Sequence, residues 1–153
     1  YENYAERKYA NQYKGRNSRM DELQAAFLLP KLHNLDIDTD KRRKIAEYYQ
    51  RSINNPLIVL PNSSEAMEHA WHLFVVRSPY RDRLKEHMNG QGVATLIHYP
   101  VPPHLQDAYK EWREYSFPIT EQIHNEVLSI PLYPLLSLSD QEHIVNAVNS
   151  FVV

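Results

Sequence analysis

The chain contains no cysteine. That excludes a disulfide framework, a thiolate nucleophile and any cysteine-based zinc site. Glycine is scarce: Gly15, Gly90 and Gly92 are the only three among 153 residues. A glycine-rich phosphate loop of the dinucleotide or Walker type is therefore excluded. No run of about 18 apolar residues occurs, so no transmembrane helix is expected. Lys and Arg number 17 against 19 Asp and Glu, for a net charge of -2. A general nucleic-acid-binding surface needs a basic excess that this balance does not supply. The chain opens Tyr1-Glu2-Asn3-Tyr4, with neither an initiator Met nor the layout of a signal peptide, and is expected to be a piece of a longer protein. The lack of cysteine is compatible with a cytoplasmic location.

What is present suits one domain with a modest core, since 42% of the residues are hydrophobic and 24% charged. Ser18 followed by Asp21 and Glu22 predicts a capped helix start. Met20, Leu23, Ala26, Phe27 and Leu28 then recur at helical spacing, with a kink or break expected near Pro30. A second helix is predicted over 39–53, with Ile45, Ala46, Tyr49 and Ile53 inward and Lys41-Arg42-Arg43-Lys44 as its solvated side. Strands are predicted over 71–77 and 93–98, with a helix over 81–88 between them, begun by Ser78-Pro79 and stopped by Asn89-Gly90. Short helices over 104–115 and 118–128, built around Tyr109 and Trp112, precede an extended piece at 130–133. Ser139 with Glu142 reads as a capping box for a last helix striped by Ile144, Val145, Val148, Phe151 and Val152. This order predicts an α+β fold, a small sheet with helices packed mainly on one face.

Two stretches could carry chemistry. Arg16, Asn17 and Arg19 lie just before a helix start, where free N–H groups and donor side chains suit a phosphate. A plain helix cap with surface arginines explains the same residues. His98-Tyr99 sits at a predicted strand end in a segment stiffened by Pro100, Pro102 and Pro103, a way of presenting side chains from a rigid loop. A histidine satisfied by a backbone carbonyl is the alternative there. His98 and His104 are six apart, which is not the spacing of a helical zinc pair, and no carboxylate joins them at a recognisable interval. No metal site is assigned.

The segment Gly15-Arg16-Asn17-Ser18-Arg19-Met20-Asp21-Glu22-Leu23-Gln24-Ala25-Ala26 with Lys31-Leu32 resembles the DegT/DnrJ/EryC1/StrS sugar aminotransferases. So do His72-Leu73-Phe74-Val75-Val76-Arg77 followed by Arg81-Asp82, the run from His98 through Tyr109, and Ser129-Ile130-Pro131-Leu132-Tyr133. The four motifs follow in the family's order and span nearly the whole chain. The resemblance implies the small C-terminal domain of a fold-type I, pyridoxal-phosphate-dependent enzyme, with 1–53 as lead-in and connecting helices and 54–153 as the small α+β domain.

By the same resemblance, the Schiff-base lysine and most cofactor contacts lie upstream of this chain. No catalytic residue is assigned within it, and alone it is expected to be inactive. Asn17 matches the asparagine that reaches across a homodimer to the partner's cofactor phosphate. His98 and Tyr99 match a loop lining the site for a nucleotide-linked keto-sugar. Glutamate is the implied amino donor, and the motif details favour amination at C3 of the sugar over C4. Such enzymes serve surface polysaccharide, lipopolysaccharide or other deoxyaminosugar biosynthesis. The alternative is a stand-alone, non-catalytic binding or interaction domain with the same fold.

Overall fold

Val127-Leu128-Ser129-Ile130 is buried at every position, and the rest of the fold is arranged around it. The computed structural model describes residues 10–15, 19–62 and 69–153. In chain order its helices and strands are α1 (Glu22–His33), α2 (Leu35–Ser52), β1 (Phe74–Arg77), α3 (Arg81–Gly90), α4 (Pro118–Glu126), β2 (Val127–Ile130) and α5 (Leu138–Asn149). Two short 3-10 turns, Pro103–Leu105 and Asp107–Trp112, lie between α3 and α4. β1 and β2 pair antiparallel, with Phe74 opposite Ile130 and Arg77 opposite Val127. Single-residue bridges extend the sheet on both sides, Val59 to Arg77 and Leu96 to Ser129.

The architecture is the expected α+β arrangement of helices and a small sheet. β1 buries Phe74 and Val76 and leaves Val75 and Arg77 half-buried, the alternation of a strand with one face on the core. α2 adds Ile45, Ala46 and Tyr49, α3 adds Leu84 and Met88, and α5 adds Ile144, Val145, Ala147 and Val148. Each large apolar side chain buried this way contributes about 1.5–3 kcal/mol. Tyr49 is fully buried. Its ring meets Phe74 edge-on at 5.2 Å and its hydroxyl donates to Pro131 O at 2.9 Å. Burial pushes that hydroxyl's pKa far above the ordinary phenol value, so it stays a neutral donor.

Several element boundaries differ from the sequence expectation. α1 runs through Pro30, and the chain turns instead at Asn34, whose amide side chain donates to Pro30 O at 3.1 Å. α1 has no buried residue, so the carbonyl that Pro30 leaves without a donor is open to water. Its apolar positions, among them Leu23 and Phe27, are exposed. Asp21, and not Ser18, is its N-cap, accepting from Leu23 N at 2.8 Å. α2 begins at Leu35, four residues before the expected start. Arg42 is not part of a solvated face: its guanidinium points at three carbonyls, Leu132 O at 3.2 Å, His72 O at 3.4 Å and Trp71 O at 3.5 Å.

The strand expected over 71–77 starts only at Phe74. Trp71 lies in the left-handed region at φ 46°, a conformation that costs a non-glycine residue about 1–2 kcal/mol. Its backbone N–H donates to His69 Nδ1 at 2.8 Å, and its buried indole stacks on Phe74 at 5.4 Å, which offsets the strain. α3 continues past Asn89 to Gly90, and the reversal falls at Gly92, φ 75°, where a side chain would be strained. The strand expected over 93–98 is reduced to the Leu96 bridge. The helix expected over 104–115 is instead two 3-10 turns, separated at Gln106, whose backbone is extended and whose side chain closes on Val101 O. α4 gives way to β2 two residues early, at Val127. The last helix is capped by Ser137 with Asp140, one such pattern earlier than Ser139 with Glu142: Ser137 Oγ accepts from Asp140 N at 3.1 Å. Phe151 is buried beyond that helix, whereas Val152 is exposed.

Asn55 ties the two ends of this core together. Its buried Nδ2 donates to Val148 O at 2.9 Å and Phe151 O at 2.8 Å, and its Oδ1 accepts from Leu57 N at 2.9 Å. Asn55→Ala leaves these buried backbone groups without partners and is expected to cost about 2–3 kcal/mol, read as a lower urea midpoint with an unchanged m-value. A loss within a few tenths of a kcal/mol contradicts the role.

Candidate functional site

The loop over 98–106 leaves the sheet where Leu96 pairs with Ser129, through Leu96 N to Ser129 O at 3.1 Å and Ser129 N to Leu96 O at 2.8 Å. Two residues on, His98 is half-buried and its Nδ1 lies 2.9 Å from Ser129 Oγ. Tyr99 follows, half-exposed, its ring 5.5 Å from the imidazole and nearly perpendicular to it. The peptide bond between them is cis.

The far end of the loop is held by two buried polar side chains. Gln106 Nε2 donates to Val101 O at 3.1 Å, closing the loop on itself, and Gln106 Oε1 accepts from Asn11 N at 2.8 Å. Ala108 N donates to Asn11 O at 2.8 Å, so residues 10–15 run alongside the loop. Lys14 then pairs with Glu111 and sits 5.1 Å above the Tyr109 ring, which stacks on Trp112. The hydrogen bond between Lys14 and Glu111 raises the pKa of the ammonium and lowers that of the carboxyl. Both groups are exposed, so the pair directs the segment more than it stabilises it. His104 is almost fully buried: its Nε2 faces Glu121 Oε1 at 3.2 Å and its ring meets Phe117 edge-on.

His98 and Tyr99 face different cavities. One, of about 420 Å³, is lined by His98 and Ser129 together with Leu96, Tyr133, Asp140, His143 and apolar neighbours. The other, of about 540 Å³, lies between the loop and the lead-in, lined by Tyr99, Val101, Pro103, Gln106, Tyr109, His124 and Asn11. Both are of a size that takes a small ligand. His98 and His104 do not converge, and no group of three metal-ligating side chains occurs among the described residues. Asn17 lies outside the described residues. The start of α1 is not open to an anion through Leu23 N, which Asp21 already occupies, and the first turn carries the further acidic Glu22.

Ser129, Gln106 and Asn11 complete the loop's support; the sequence analysis places the first two within family motifs but assigns none of the three this role. The Ser129–His98 and Gln106–Asn11 contacts span 31 and 95 residues, so no local spacing signals them, and only the Gln106–Val101 bond is local. A serine inside an otherwise apolar buried strand is the one hint the sequence held.

Helices packed on a small two-stranded sheet are the arrangement that the chain shares with solved aminotransferases over about 40% of their length. The chain belongs to the DegT/DnrJ/EryC1/StrS aminotransferase family, whose model matches residues 1–149. It is 52% identical over 145 residues to the dTDP-3-amino-3,6-dideoxy-alpha-D-galactopyranose transaminase of Aneurinibacillus thermoaerophilus, covering 95% of this chain and 40% of that protein. Among solved structures it matches S. venezuelae DesV in complex with a ketimine intermediate at TM-score 0.80 and 39% identity, over 93% of this chain and 39% of that one. It matches NtdA from Bacillus subtilis with bound cofactor PMP at TM-score 0.74 and 31% identity, over 88% of this chain and 33% of that one. The chain thus spans between 33% and 40% of the length of these three relatives.

Replacing Gln106 by Ala removes one bond inside the loop and one to the lead-in. Expected are a stability loss of about 1–3 kcal/mol and faster hydrogen exchange at the Ala108 amide, whose acceptor is Asn11 O. Unchanged exchange at Ala108 would show that Gln106 does not hold the lead-in.

Proposed function

We propose that this chain is the small-domain part of a pyridoxal-phosphate-dependent nucleotide-sugar aminotransferase that moves an amino group from glutamate to a keto-deoxysugar nucleotide, with the 3-keto sugar preferred. The observation that carries the reading is the His98-Tyr99 loop, pinned at Ser129 and at Gln106, with a cavity on each side. The 52% identity to a transaminase named for a 3-amino sugar supports the C3 preference. Residues 1–53 serve as lead-in and connecting helices and 54–153 as the small domain. The longer protein works as a cytoplasmic homodimer in surface polysaccharide, lipopolysaccharide or other deoxyaminosugar biosynthesis.

Bound pyridoxal phosphate supplies the electron sink for amino transfer. This chain's own part is narrower. By the family resemblance, Asn17 contacts the cofactor phosphate of the partner subunit. His98 and Tyr99 bind and orient the sugar nucleotide. The chain alone has no lysine in the family's lysine loop and is inactive without the preceding domain.

The full-length protein, given pyridoxal phosphate, glutamate and matched 3-keto and 4-keto sugar nucleotides, is expected to yield the 3-amino product at least about tenfold faster, a difference of about 1.4 kcal/mol in barrier. Mass spectrometry of the products reads this, and exclusive amination of the 4-keto sugar contradicts the C3 preference. In the same protein Asn17→Ala should weaken cofactor retention by about 1.5–3 kcal/mol, the worth of hydrogen bonds to a charged group. Equilibrium dialysis of the cofactor measures it, and unchanged affinity rejects the phosphate contact.

A further inference from the structure

Ser129 is an uneconomical residue for its position. β2 is buried throughout, Leu128 and Ile130 flank it as core residues, and Ser129 is itself 5% exposed. Strand interiors favour β-branched and aromatic side chains, and a buried hydroxyl must find a partner or lose free energy. The backbone makes no demand on this hydroxyl, because Ser129 N–H and C=O are both spent on Leu96. Among the described residues the hydroxyl has one partner, His98 Nδ1 at 2.9 Å.

We infer that Ser129 is the positioning residue for His98, fixing the imidazole's orientation toward the keto-sugar. The geometry favours this role because both ends of the contact are indexed to one strand. The Leu96 bridge sets where the loop leaves the sheet, and the Ser129 hydroxyl, on the same residue that makes the bridge, sets how the ring turns two residues later. A ring nitrogen engaged by a fixed partner has its orientation and tautomer chosen by that partner. The two side chains also line the same cavity, with Tyr133 and His143 among its other walls. The inference rests on the proposed reading of His98 as a sugar-nucleotide contact.

The test uses the full-length enzyme and separates its two half-reactions by single-turnover kinetics: amination of the cofactor by glutamate, and transfer to the keto-sugar nucleotide. Ser129→Ala should lower kcat/KM for the sugar by about tenfold, the loss of roughly one hydrogen bond, and leave the glutamate half-reaction within about twofold. Ser129→Thr, which keeps the hydroxyl, should recover most of the loss. Added to His98→Gln, Ser129→Ala should have no further effect, since it acts through that ring. Thermal unfolding of each variant shows whether it remains folded. Equal slowing of both half-reactions, or additive effects of the two substitutions, assigns Ser129 a general structural role and overturns the inference. Impairment by His98→Gln with none by Ser129→Ala overturns it alone. A His98→Gln enzyme with normal sugar transfer overturns the reading of the loop and this inference together.

Discussion

The pairing of Ser129 with Leu96 is the contact on which the arrangement of the loop depends. Two backbone hydrogen bonds bring the segment after α3 onto the outer side of β2, and β1 occupies the other side in fixed register. A shift by one residue would turn Ser129 away from His98 and put its hydroxyl where Leu128 or Ile130 packs in the core, since successive side chains on a strand point to opposite faces. The burial of Leu128 and Ile130 therefore protects the register, and the register protects the His98 contact. Core packing and site geometry both depend on the placement of β2.

The loop itself combines stiffness with anchoring. Pro100, Pro102 and Pro103 restrict the backbone, Gln106 closes the loop on Val101 O, and buried His104 fastens its middle against Glu121 and Phe117. Of the two histidines, His104 is the structural one, almost wholly buried with a carboxylate partner, while His98 lines a cavity. The lead-in at residues 10–15 joins the outer wall through Asn11 and Lys14. Tyr99 therefore faces a cavity bounded both by the lead-in and by the segment from the loop to α4.

The sequence made the periodic elements legible and the long-range ones obscure. The apolar faces of α2 and α5 were readable because Ile45, Ala46 and Tyr49, and Ile144, Val145 and Val148, recur at 3.6-residue spacing on helices that pack against one core. The same spacing placed α1 correctly as a helix but said nothing of burial, and Leu23 and Phe27 are exposed. Arg42 sat in a run of four cations that reads as solvated, yet carbonyls of Trp71, His72 and Leu132 draw it inward. The expected strand over 71–77 lost its first three residues to the left-handed Trp71, a conformation no propensity scale assigns to tryptophan. His98 and Tyr99 were legible through their prolines and their resemblance to a family loop. Ser129 and Gln106, which hold that loop, were not, because their contacts with His98 and Asn11 join residues far apart in the chain.

The central claim is that the loop over 98–106 is this chain's contribution to a sugar-nucleotide site. A crystal structure of the full-length protein with a bound keto-sugar nucleotide tests it most directly. The account predicts the sugar within hydrogen-bond reach of His98 and Tyr99, with His98 Nδ1 still on Ser129 Oγ. A sugar nucleotide bound in the same crystal with neither side chain in reach would contradict it.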